Sequence, residues 1–74
     1  MNEAQQYAAM RLQSALAECR KVGLAGGVFD ASFCVWPSAN GSPFEHGDFF
    51  EGIQSLGGEV LNGHGMWLDG GAGN

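Results

Sequence analysis

Between residues 22 and 28 the hydrophobic period of this chain changes, and that change limits the possible folds more than any other feature. Before it, Ala8, Leu12, Ala15, Cys19 and Val22 recur at alternating spacings of four and three, along one stripe of an α-helix. After it, Phe29, Ala31, Phe33 and Val35 alternate with Val28, Asp30, Ser32, Cys34 and Trp36, the twofold period of a strand with one well-buried face. A helix and a strand within 74 residues leave room for one small domain spanning 1–74. At that length folding hides only about 60% of the surface the unfolded chain exposes, so the core is small.

The helix is expected over 2–22. Asn2 and Gln5 have capping-box spacing, Glu3 suits the positive end, Arg20 and Lys21 suit the negative end, and Gly23 supplies the stop. A strand over 27–36 follows and ends at Pro37. The segment from 38 to 43 holds Asn40-Gly41 between Pro37 and Pro43 and reads as a loop. Asp48 and Glu51 can cap a short helix over 48–57, with Phe49, Ile53 and Leu56 on one side and Gly57-Gly58 as its end. Asn62-Gly63 predicts a hairpin over 58–68 in which Val60 and Trp67 share a face, and the 70–74 segment reads as a flexible tail. The expected fold is α+β: the N-terminal amphipathic helix and the short second helix packed on one face of a small, about three-stranded, antiparallel or mixed sheet.

A hydrophobic fraction of 45% and eight aromatic residues are enough for a packed core and exclude whole-chain disorder. The chain opens with Asn2, Glu3, Gln5 and Gln6 where a secretory leader would be basic and then apolar. The longest uncharged apolar run, Val22 to Phe29, is far too short to span a bilayer, so no membrane association is expected. Cys19 and Cys34 are too few for a disulfide framework and lack zinc-type spacing; they read as small buried hydrophobes in a reducing, cytoplasmic setting.

The charges are distributed unevenly. Arg11, Arg20 and Lys21 all lie in the first helix, so everything after it carries Asp30, Glu45, Asp48, Glu51, Glu59 and Asp69 without one Lys or Arg. A segment of that length would ordinarily hold roughly six basic residues. Uncompensated carboxylates repel a phosphate backbone and attract basic surfaces, which argues against direct nucleic-acid binding and for a Lys/Arg-rich protein partner.

Sites for chemistry are thin by comparison. His46 and His64 are the weak candidates for a metal site, with Asp48 and Cys34 nearby in type, but both histidines sit beside glycines in expected loops, where rigid ligand geometry is hard to hold. The thirteen glycines include no GxGxxG or GxxxxGK[ST] pattern, and no serine lies in a G-x-S-x-G context. The expectation is therefore no enzyme, no catalytic residues and no cofactor. Trp36, Phe44 and Trp67 fall at expected strand ends or loops; if exposed beside the carboxylates they would give aromatic anchors within an acidic rim.

In size, acidity and lack of catalytic motifs the chain resembles the small inhibitors carried by phages and mobile elements, anti-CRISPR and DNA-mimic proteins among them. The resemblance is one of composition and rests on no motif. It implies an inhibitor whose carboxylates occupy a cationic groove that otherwise holds DNA or RNA. The partner-binding set is then Asp30, Glu45, Asp48, Glu51, Glu59 and Asp69 with Trp36, Phe44 and Trp67. The alternative is a structural, self-assembling module in which the helix stripe or the strand's aromatic face makes a homodimer, because one short chain cannot cover all its apolar area. A small metal-binding protein is the third expectation.

Overall fold

The computed structural model describes residues 1–69, apart from the side chain of His46. Helix α1 runs Glu3–Lys21, and the capping box forms: Gln5 N–H donates to Asn2 Oδ1 at 2.8 Å, and Asn2 N–H donates to Gln5 Oε1 at 2.9 Å. Two donors left over at a helix start are thereby satisfied by side chains. Gly23, at φ 83°, turns the chain into strand β1, Leu24–Phe29.

The expected single strand over 27–36 is two strands. β1 ends at Phe29, Asp30 and Ala31 take φ of 50° and 60°, and β2 returns antiparallel over Ser32–Pro37. Two consecutive positive-φ residues make a primed turn, whose twist suits a hairpin. Because Asp30-Ala31 lacks the usual glycine, the alternation runs through the turn unbroken and hides it. Two 3₁₀ turns, Ser38–Asn40 and Pro43–His46, lead to helix α2, Phe49–Ser55. Asp48 is its N-cap, its carboxylate accepting from Phe50 N–H at 2.8 Å and Glu51 N–H at 3.1 Å.

The hairpin expected over 58–68 does not form. Its first half becomes β3, Glu59–Val60, which pairs with β2 at Val60 opposite Cys34 and Glu59 opposite Val35, giving an antiparallel sheet of order β1-β2-β3. The turn lies two residues later than Asn62-Gly63 suggests. His64 and Gly65 have positive φ, Asn62 Oδ1 accepts from His64 N–H at 2.8 Å, and Gly63 C=O accepts from Met66 N–H at 3.0 Å. The expected tail over 70–74 lies outside the described residues.

Register decides which side chains share a face. Phe29 pairs with Ser32, Gly27 with Cys34 and Ala25 with Trp36, while Val28–Phe33, Gly26–Val35 and Leu24–Pro37 point the other way. A two-residue turn therefore puts Phe29 with Cys34 and Trp36, not with Phe33 and Val35 as uninterrupted alternation implies. Helix α2 covers the Phe29–Cys34–Trp36 face. There Cys34, Phe49, Ile53 and Leu56 are buried, each apolar side chain contributing about 1.5–3 kcal/mol relative to exposure. Phe29 stacks on Phe49 with ring centroids 4.5 Å apart, and Phe50 meets both rings edge-on. Gly52 lets α2 lie against the Pro43 turn; a methyl group there would come within 2.9 Å of Pro43 Cα.

Helix α1 approaches the opposite face, that of Phe33 and Val35, so the two helices do not share one side as the sequence reading had them. The α+β class and the three-stranded sheet are as expected. Among the described residues no helix is long and apolar enough to cross a membrane.

Candidate binding surface

Two exposed surfaces result, one on each side of the sheet. On the α2 side four carboxylates are chain neighbours of the rings in the phenylalanine cluster. Asp30 follows Phe29, Glu45 follows Phe44, Asp48 precedes Phe49 and Glu51 follows Phe50. The rings are held together by contacts of Phe49 with Phe29 at 4.5 Å, Phe44 at 5.1 Å and Phe50 at 5.9 Å. All four carboxylates are exposed, and none forms an ion pair with Arg11, Arg20 or Lys21. Arg11 instead lies over the Tyr7 ring, 5.9 Å from its centroid, on α1 itself.

The anchors divide. Phe44 is 66% exposed at the edge of this acidic margin, so its ring is partly packed on Phe49 and partly offered to solvent. Trp67 is 84% exposed in the segment after β3, two residues from the exposed Asp69. Trp36 is a wall of the core: half-buried, edge-on to Phe49 at 6.3 Å, with its Nε1–H donating to Gly41 C=O at 3.0 Å. Glu59 is exposed opposite Val35, on the face away from α2, and so is not part of the four-carboxylate margin.

On the other side α1 buries no residue, and Leu12 and Leu16 remain 52% and 47% exposed. Between the helix and the sheet lies an open groove of about 400 Å³, walled by Leu12, Leu16, Cys19, Phe33, Val35 and Leu61. No single motif points to this surface, but Leu12 and Cys19 belong to the stripe legible in the sequence. Leu16 escapes that stripe, and Phe33 and Val35 are assigned to the wrong side by unbroken alternation.

Cys34 is fully buried, and burial pushes its thiol above the ordinary range, so it carries little thiolate at neutral pH. Cys19 is half-exposed in the groove wall. Among the described residues no three His, Cys, Asp or Glu side chains come together as a metal-holding group; His64 sits in the exposed turn after β3. Among the described residues the exposed side chains on these two surfaces are mainly carboxylates and apolar groups, with Arg20 lining the groove. Comparison with known proteins adds no relative: no family model matches the sequence, and no curated protein or solved structure matches the chain.

Proposed function

We propose that this chain is a non-enzymatic inhibitor that binds a basic, nucleic-acid-holding surface of another protein through the end formed by Asp30, Glu45, Asp48 and Glu51 around Phe44. The observation that carries the reading is four exposed carboxylates, with no ion pair among the described residues, that flank the rings of an aromatic cluster in the chain, one of those rings left open. An apolar anchor inside a charged rim suits a protein interface, and the one-signed rim speeds encounter with a cationic groove while repelling a polyphosphate. In this reading the chain works in the cytoplasm, as a phage or mobile-element inhibitor of the DNA-mimic or anti-CRISPR kind would. It binds no nucleic acid itself.

The test uses a panel of basic nucleic-acid-binding proteins and a competing DNA duplex. Binding should weaken steeply with added salt, and Glu45→Lys combined with Glu51→Lys should lower affinity by about tenfold or more while preserving the Asp48 cap. Binding indifferent to both salt and reversal contradicts the proposal, as does a failure of DNA to compete.

A further inference from the structure

The groove beside α1 differs in chemistry from the rest of the surface. We infer that it is a binding site for a small apolar monocarboxylate, a medium-chain fatty acid in class, whose chain lies along Leu12, Leu16 and Phe33 and whose carboxylate is held by Arg20.

Shape favours a small occupant. One wall is α1, the floor is the sheet, and the other wall is the segment carrying Leu61, Met66 and Leu68. Gly26 makes the floor possible by leaving room for the Phe33 ring; a Cβ there would stand 3.3 Å from Phe33 Cε1. The volume of about 400 Å³ falls within the range of small-molecule sites, about 300–1,000 Å³. One turn of a helix, about 10 Å across and 5.4 Å long, would fill it alone, so an inserted protein element has little room. An aliphatic chain fits, and it would cover Leu12 and Leu16, which the fold leaves 52% and 47% exposed.

Charge selects the head group. The chain holds eight acidic residues against three basic ones, yet among the described residues the groove is lined by Arg20 and by no carboxylate. Glu59 shares this face of the sheet but does not line the groove. Arg20 forms no ion pair among the described residues, so its planar guanidinium is available to donate two parallel hydrogen bonds to a carboxylate. The other polar side chain in the lining is Asn62, whose Oδ1 already accepts from His64 N–H, which leaves its NH₂ group to donate. Donors beside an apolar floor match an anion with an apolar tail, whereas a plain hydrocarbon would leave Arg20 unmatched. The groove lies on the face away from α2, so this inference and the inhibitory reading can fail independently.

The test titrates the intact chain with decanoate below its micelle-forming concentration, and with decanol as an uncharged molecule of equal chain length. Calorimetry should show one decanoate per chain. At about ten times its Kd, decanoate should slow maleimide labelling of Cys19, a residue of the groove wall, by about tenfold. Arg20→Met keeps an apolar stem and removes the charge; it should weaken decanoate about tenfold and leave decanol unchanged. Leu16→Trp should fill the groove and weaken both. An absence of decanoate binding overturns the inference, and so does decanoate affinity that is indifferent to Arg20→Met or no better than that of decanol. A rise to twice the monomer mass in sedimentation, with no decanoate bound, overturns it in favour of a second copy.

Discussion

The two faces of the sheet are built largely from strands of one hairpin, yet one is closed and the other only partly covered. Against α2, seven helical residues bury Phe49 and Ile53 on Cys34, with exposures of 4%, 1% and 0%. Against α1, none of nineteen helical residues is fully buried, and Leu16 is still 47% exposed. Helix length therefore says little about where stability lies. What matters is whether the facing side chains interlock: α2 can lie close because Gly52 removes a Cβ opposite Pro43 and Gly58 removes one opposite Trp36, whereas α1 meets the sheet mainly near its C-terminal end.

This contrast predicts very unequal responses to the same kind of truncation. Phe49→Ala removes the ring that contacts Phe29, Trp36, Phe44 and Phe50, and should cost about 4 kcal/mol in chemical denaturation. A domain with about 5–15 kcal/mol in hand would be left barely folded. Leu16→Ala, at a side chain still 47% exposed, should cost no more than about 1 kcal/mol. Equal costs would mean that α1 packs on its own sheet and would break the comparison.

The cysteines sharpen it with a smaller perturbation. Cys19 should react with maleimide in native protein at least about a hundredfold faster than Cys34, because Cys34 is both sealed and held protonated. In denaturant the two should react alike. The raised Cys34 value also fixes a sign: the stability gained from a buried neutral thiol is present below the ordinary thiol range and is lost as pH rises through the raised value. Stability rising with pH through the alkaline range would contradict burial of Cys34.

Much of the fold could be read from residue order. The Asn2–Gln5 box, the Asp48 cap and the stops at Gly23 and Gly57 are local devices, written in neighbouring residues, and each appears where spacing predicts it. The Asp30-Ala31 turn was not legible, because neither residue is glycine and the apolar alternation continues through it. That one miss reassigns Phe33 and Val35 to the opposite face and hides the groove. The second missed feature, the absence of a hairpin over 58–68, has a similar cause. Asn62-Gly63 is a good turn pair, but the Asn62 side chain caps the His64 amide and draws the turn onward, while β3 is satisfied by pairing with β2. The acidic margin was legible as composition. The gathering of the rings beside those carboxylates was not, since it depends on the Phe29–Phe49 contact between residues twenty apart in the chain.

Hydrogen exchange tests the split between the two faces most directly. The amides of β2 and α2 should be more strongly protected than those of α1. An α1 as well protected as β2 in dilute solution would show that its helix is already held within one chain, and the account would be wrong at its base.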